Sequence, residues 1–145
     1  MQITWLGHSG FRIDIAGAVL LVDPWLSGNP MFPADRRDEA IAGATHILSS
    51  VPPEGEDDPV LTRYGAAIAA APALWVGYLS STGVYGDTRG AWVDESAPVK
   101  GRRADRNAAD AAWQGLRTSA LLVLGLGSLG FAFLYFYWVS AQRTL

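Results

Sequence analysis

The chain has 145 residues, no cysteine, two histidines and a formal net charge of −3 at pH 7. This composition excludes disulfides, thiolate metal sites and cysteine nucleophiles, and with only His8 and His46 it excludes a three-histidine metal site within one chain. Residues 1–99 carry 12 acidic and 5 basic side chains, which argues against direct nucleic-acid binding and fits a basic protein partner or simple solubility.

The first 48 residues predict a β-rich meander with tight turns. Phe11, Ile13 and Ile15 alternate with polar residues, as in a strand with one buried face. Ala16-Gly17 is typical of a hairpin turn. A short helix is expected over residues 35–42, ending at Gly43. The predicted strands are Gln2–Trp5, Phe11–Ile15, Val19–Val22 and Thr45–Leu48.

Three motifs in this segment carry a family resemblance: TWLGHSGFRI, LLVDPWLSGNP and EAIAGATHIL. Together they resemble the start of the metallo-β-lactamase-fold metal-dependent hydrolases. The resemblance implies that His8 and Asp23 lie near one another at strand ends. It also implies a His-x-His-x-Asp-His loop of metal ligands after the THIL strand, where this chain has SSVPPEGEDDP. We therefore expect His8 to be structural, and His46 to be a core or surface histidine, with no metal bound.

Residues 49–99 predict a helix–strand unit. Asp58-Pro59 is typical of a helix start, so a helix is expected over residues 59–71, followed by a buried strand over residues 74–79. This order suits a parallel α/β unit.

The motifs SSVPPEGEDDPVLTRYG, WVGYLSSTGVYGDTRGAWVDESAPV and ADRNAADAAW resemble the middle of an atypical short-chain dehydrogenase or NAD-dependent epimerase. The resemblance implies a catalytic hydroxyl at Ser81 or Thr82, with Tyr85 in the same turn. The family's glycine-rich dinucleotide turn is absent, and Lys100 follows Ser96 rather than a tyrosine at four residues' spacing. We therefore expect these residues, with Gly83 and Gly86, to shape the turn, and no cofactor to bind.

Both resemblances meet at residues 45–48. We interpret the chain as chimera-like, artificial or recombined, with a metallo-β-lactamase-like segment at residues 1–48 and a Rossmann-like segment at residues 49–99. Because the two segments resemble different sheets, we expect cores that do not match and marginal stability.

The C-terminal part predicts a membrane anchor. A basic linker, residues 100–117, contains Lys100, Arg102, Arg103 and Arg106 and a helix over residues 103–113. Residues 118–140 have no charge and no proline, which suits a transmembrane helix, and a tail follows at residues 141–145. Small residues from Gly125 to Ala132 suggest helix–helix association. A buried core helix is the alternative. The linker places the N-terminal arm in the cytoplasm; a wholly cytoplasmic protein is the other possibility.

The fold class predicted from the sequence is therefore α/β with a long C-terminal apolar helix. We predict a non-catalytic, membrane-anchored binding protein, in the manner of an antitoxin or inhibitor, contacting membrane lipid and a basic protein. The alternatives are a metal-dependent hydrolase of the metallo-β-lactamase fold with a degenerate site, a remnant of an NAD-dependent oxidoreductase or epimerase, and a membrane-active short protein. No catalytic, cofactor-binding or metal-binding residue is assigned.

Overall fold

The computed structural model describes residues 1–116 and 121–126 and shows one mixed α/β sheet with helices packed on it. The sheet has six strands in the order β1-β2-β3-β4-β5-β6. The strands are β1 Gln2–Gly7, β2 Gly10–Ile15, β3 Ala18–Val22, β4 His46–Ser49, β5 Trp75–Ser81 and β6 Leu121–Leu126. The helices are α1 Arg37–Ala42, α2 Pro59–Ala70 and α3 Ala104–Gln114.

The sheet changes from antiparallel to parallel pairing at β3. β1, β2 and β3 pair antiparallel, and β3 through β6 pair parallel. The β2–β3 hairpin turns at Ala16 and Gly17, which both have positive φ, 50° and 83°. Two consecutive positive φ values are what a two-residue hairpin of the type I′ class needs. The predicted hairpin is therefore confirmed.

One face of the sheet carries the core. Leu21, Ile47 and Val76 are neighbours in the pairing register of β3, β4 and β5, and all three are fully buried. Side chains from each α-helix join the same apolar cluster: Ile41 from α1, Val60, Tyr64 and Ile68 from α2, and Ala109 and Trp113 from α3. The helices therefore cover this face, and the core is continuous across residue 48.

The opposite face is apolar and open in the part of the chain that the structure describes. Ile3 pairs with Ile13, and Trp5 pairs with Phe11, so alternation places all four on the side away from Leu21. Ile3 is 56% exposed and Trp5 is 54% exposed.

The start of α2 shows how local sequence and core packing are coupled. Asp58 Oδ1 accepts hydrogen bonds from the backbone N–H groups of Val60 and Leu61, at 2.9 and 2.8 Å. This is the N-cap expected from Asp58-Pro59. Asp58 Oδ2 accepts a buried hydrogen bond from Trp113 Nε1 at 2.7 Å. One carboxylate therefore starts α2 and also ties α3 to it.

The prediction of a transmembrane helix over residues 118–140 is wrong where the structure describes it. Residues 121–126 form β6, which pairs in parallel with β5 from Val76 to Ser81. No helix among the described residues is long and apolar enough to cross a membrane. An uninterrupted apolar run is also what a buried parallel strand requires, so hydropathy alone does not separate the two. Residues 118–120 and 127–140 of the predicted span, and its small-residue patch beyond Leu126, lie outside the described residues.

The expectation of two unmatched cores also needs correction. β3 from the first segment pairs with β4, β4 pairs with β5 from the second, and all three contribute to one buried cluster. A junction at residues 45–48 would fall in the middle of this sheet. Residues on both sides of it therefore pack as parts of the same core.

A buried acid lies between α3 and β5. Asp110 is 1% exposed, and its Oδ2 accepts a hydrogen bond from Gln114 Nε2 at 2.9 Å. Its Oδ1 has no hydrogen-bond partner among the described residues. Burial raises the pKa of Asp110 above its ordinary value, and the nearby Ser80 hydroxyl and the hydrogen bond from Gln114 offset this in part. Burial likewise raises the pKa of Tyr78, to about 12.

The raised pKa of Asp110 predicts a pH-dependent stability. The folded state disfavours the ionised carboxylate of Asp110. Its protonated form therefore contributes its full stability below the pKa of the unfolded chain, at about 4. That contribution is lost as the pH rises through the higher pKa of the folded state. Asp110→Asn should therefore unfold at higher urea concentration than the unchanged chain near neutral pH. This advantage should disappear below about pH 4. Urea titrations at both pH values check it; an equal advantage at both would contradict it.

Candidate functional site

A cleft of about 490 Å³ opens at the carboxyl ends of β1, β3 and β4. In open α/β sheets, ligands bind at this edge, outside the ends of the strands. The cleft is bounded on its other side by the first two turns of α2. Its polar side chains come from separate parts of the chain: His8, Ser9, Asp23, Ser50, Glu54, Arg63 and Tyr64.

The backbone at two corners of the cleft is strained. His8 has φ of 52° and Asp23 has φ of 44°, and both follow directly on strand ends. A non-glycine residue in this region costs on the order of 1–3 kcal/mol, and such strain concentrates at functional sites. The positive φ values of His8 and Asp23 therefore lower the stability of the folded chain and place both side chains at the sheet edge.

Asn29 holds the loop beside these corners. Its Nδ2 donates to the carbonyl oxygens of Leu6 and Trp25 at 2.5 and 2.7 Å, and its Oδ1 accepts from the Met31 N–H at 2.9 Å. Asn29 is buried, so its amide replaces water for three backbone groups that would otherwise lack partners. It ties the end of β1 to the loop that follows Asp23.

Asp23 joins the ends of β3 and β4. Its carboxylate accepts from the Ser50 N–H at 2.6 Å and from Ser50 Oγ at 2.7 Å. Its own N–H donates to the Leu48 carbonyl at 2.9 Å. Both carboxylate oxygens are therefore engaged by one serine.

His8 presents its ring to the cleft. Its carbonyl oxygen accepts a hydrogen bond from Trp5 Nε1 at 2.9 Å. The imidazole meets the Trp25 ring edge-on, with centroids 5.7 Å apart and an interplanar angle of 76°. The residue is exposed, so packing against Trp25 orients the ring while solvent still reaches it.

The wall opposite His8 is fixed by α2. Tyr64 is buried, and its hydroxyl oxygen accepts from the N–H groups of Leu26 and Ser27 at 3.0 and 2.6 Å. The neighbouring Arg63 reaches the Ser27 carbonyl at 3.3 Å. The cleft therefore has one guanidinium on this wall, and the loop after Asp23 is held against the helix.

The side chains of this cleft do not form a metal centre. Among the described residues, no group of three or more histidine, cysteine, aspartate or glutamate side chains is placed to hold a metal ion. A catalytic zinc ordinarily has three protein ligands. Here His8 is the one imidazole in the cleft, and Asp23 has both oxygens occupied by Ser50. The donor set does not fit the metal that the family resemblance implies.

The other residues considered from the sequence lie elsewhere. His46 is within β4; its Nδ1 is 2.8 Å from Thr45 Oγ1 and its ring contacts Trp75. Ser81 caps a 3-10 turn over Thr82–Tyr85 by accepting from the Gly83 N–H at 3.2 Å. These positions surround β5 and are not among those lining the cleft.

Gly86 and Lys100, which the sequence analysis also named, are in contact at the C-terminal end of that turn. Gly86 has φ of 71°, and a Cβ there would lie 2.9 Å from the Lys100 carbonyl oxygen. A side chain would therefore clash with backbone, so glycine is needed for geometry. The N–H and the hydroxyl of Ser96 both donate hydrogen bonds to the Asp94 carboxylate in the same loop.

Sequence reasoning missed Asn29, Ser50 and Tyr64. Each acts through contacts 23 to 38 residues away along the chain, which no local pattern reports. The signal that was available is SGNP, residues 27–30, where an asparagine follows a glycine in a turn-forming stretch.

Comparisons with known proteins agree with the N-terminal resemblance. Residues 2–63 match the Beta-lactamase superfamily domain. A UPF0173 metal-dependent hydrolase from Cereibacter sphaeroides is 88% identical over 74 residues, which is 51% of this chain and 29% of that protein. Another, from Paracoccus denitrificans, is 79% identical over 48 residues, 33% of this chain and 21% of that protein. The chain thus spans less than a third of the length of these relatives.

A solved structure is also similar. It is described as a functionally unknown conserved protein from Silicibacter pomeroyi, with 45% identity and a TM-score of 0.51 over 59% of this chain and 32% of that one. Its description assigns no activity. The match therefore bears on the fold of this chain.

These findings bear on several expectations drawn from the sequence. The family match continues to residue 63, past the proposed junction at residues 45–48. The comparisons thus give no support to a chimera, to an artificial origin or to the dehydrogenase resemblance. The prediction of a non-catalytic, membrane-anchored binder is wrong, because the relatives are named metal-dependent hydrolases. The hydrolase alternative is the one that they favour.

Proposed function

We propose that this chain is a hydrolase of the β-lactamase superfamily type with a degenerate site, and that its substrate binds in the cleft at the ends of β1, β3 and β4. One observation carries the proposal: the segment that matches the family, residues 2–63, supplies every lining residue of the cleft except Tyr64. The similarity thus falls on the residues that form a site.

The cleft's side chains suit polar catalysis in distinct ways. His8 is an exposed imidazole held at its edge by Trp25, and histidine is the commonest general base for water attack. Arg63 gives the opposite wall a positive charge for an anionic or polarised group. Asp23, engaged by Ser50, is a positioning residue that fixes the two strand ends between which the substrate would lie.

Because the donor set does not fit a metal centre, no step is assigned to a metal ion. The relatives named as hydrolases are more than three times as long as the segment that they share with this chain. For this chain we therefore expect slow hydrolysis, with His8 as the base and the cleft walls as the binding surface.

A substrate screen tests the proposal. The full chain is assayed against phosphodiester, lactam and ester substrates, with and without added zinc, beside the His8→Asn variant. Asparagine tolerates the positive φ of His8 but is not a general base. We expect turnover of at least one substrate class, reduced by about a hundredfold in His8→Asn. Absence of turnover on every class, or equal turnover in His8→Asn, would reject the proposal.

A further inference from the structure

A second cleft lies at the carboxyl end of β5. It shares no lining residue with the first cleft, at the ends of β1, β3 and β4. It has a volume of about 420 Å³ and is bounded by the turn after β5 and the start of α3. Its lining residues are Ser81, Gly83, Gly86, Asp87, Arg102, Arg103 and Arg106. The proposed hydrolase function does not use any of these residues.

The charge of this second cleft is strongly positive for an acidic protein. Three guanidinium groups line it against the single carboxylate of Asp87. Arg103 is paired with Asp105 at 2.6 Å. Among the described residues, no carboxylate forms an ion pair with Arg102 or Arg106. In the described part of the chain, Arg102 and Arg106 thus line the cleft outside any ion pair, and Asp87 supplies one negative charge against three positive ones.

Two sides of the second cleft are formed by the turn after β5 and by the start of α3. Gly83 and Gly86 line it on the first side, where Gly86 packs against the Lys100 carbonyl. On the other side α3 begins at Ala104, and its N-cap Arg103 makes no side-chain capping hydrogen bond. The first N–H groups of a helix carry partial positive charge and attract anions. Here that charge adds to the charge of the three arginines.

We propose that this second cleft binds the phosphate group of a small phosphorylated molecule. Arginine presents a planar fork of donors that matches phosphate oxygens. The volume lies in the range of small-molecule sites, about 300–1,000 Å³, and exceeds what a single phosphate would fill. The ligand therefore carries its phosphate toward Arg102 and Arg106, with the rest of the molecule along the glycine turn.

Binding of pyrophosphate and inorganic phosphate to the full chain, measured by calorimetry, tests this site. We expect saturable binding, with pyrophosphate tighter than phosphate because more than one guanidinium takes part. Arg102→Ala should weaken pyrophosphate binding by about tenfold. Arg102 is exposed, so this variant should fold. Asp105→Asn should strengthen binding, because it releases Arg103 from its ion pair.

Arg36→Ala is the matched control. Arg36 is an exposed arginine paired with Glu39 before α1 and is not among the residues of this cleft; its variant should bind pyrophosphate as the unchanged chain does. Added salt should weaken binding in the unchanged chain. The proposal is overturned if no saturable binding occurs below about 1 mM, if Arg36→Ala weakens binding as much as Arg102→Ala, or if Asp105→Asn has no effect.

Discussion

Replacing Trp113 by alanine is expected to lower the free energy of unfolding by about 3–5 kcal/mol. Trp113 is fully buried. Its ring stacks on Tyr78, with centroids 5.2 Å apart and planes at 3°, and its Nε1 donates to Asp58. The variant would leave a large cavity between α3 and β5 and remove the partner of a buried carboxylate oxygen. Since domains are stable by about 5–15 kcal/mol, a large part of the fold's stability would be lost.

The chain offers a matched control for this prediction. Trp92 is fully exposed, so Trp92→Ala should change the free energy of unfolding by no more than about 0.5 kcal/mol. Trp113→Phe keeps a ring against Tyr78 and loses the hydrogen bond to Asp58; it should cost about 1–3 kcal/mol. Urea unfolding followed by circular dichroism measures all three variants. Equal losses in Trp113→Ala and Trp92→Ala would show that α3 does not pack on the sheet.

Replacing Asp23 by alanine is expected to cost about 2 kcal/mol, because it removes two charge-assisted hydrogen bonds and leaves alanine in a left-handed conformation. The lost bonds are those from the N–H and hydroxyl of Ser50, and the conformation is φ of 44°. Ser50 is exposed, so water replaces part of the loss. Urea unfolding again gives the value.

Two variants separate the causes of that loss. Asp23→Asn keeps an acceptor for the Ser50 N–H and a residue type that tolerates positive φ, so it should cost about half as much or less. Asp14→Ala removes a carboxylate whose partner, Arg12, lies in the same strand. Because exposed ion pairs contribute little to stability, this variant should lower stability much less than Asp23→Ala does. If Asp14→Ala cost as much as Asp23→Ala, the Asp23–Ser50 link would have no special role.

Local patterns predict the elements that local physics decides. Asp58-Pro59 fixes the start of α2, where the structure shows the expected cap, and Ala16-Gly17 fixes the hairpin between β2 and β3. The apolar run after Thr118 has no such signal. Its length and hydropathy suit a membrane helix, yet residues 121–126 pair with β5 as a strand. The available edge of β5, and not the composition of the apolar run, decides that residues 121–126 form a strand.

The candidate site was likewise predictable from the sequence only in those parts that local motifs determine. The strand-end positions of His8 and Asp23 are visible in the motifs that carry the family resemblance. Their partners are not, because Ser50, Asn29 and Tyr64 reach the cleft only when distant strands and α2 assemble. The missing histidine loop after Leu48 led the sequence reasoning away from the hydrolase interpretation. The relatives, which are named metal-dependent hydrolases, favour that interpretation.

The two histidines allow the central claim to be tested by one comparison. His8 lines the cleft at the ends of β1, β3 and β4, whereas His46 lies within β4 beside Trp75. For the best substrate found, kcat/KM is measured for the unchanged chain, His8→Asn and His46→Asn. We predict a loss of about a hundredfold or more in His8→Asn and no more than about a twofold change in His46→Asn. Equal values for the two variants would contradict a hydrolase centre in this cleft.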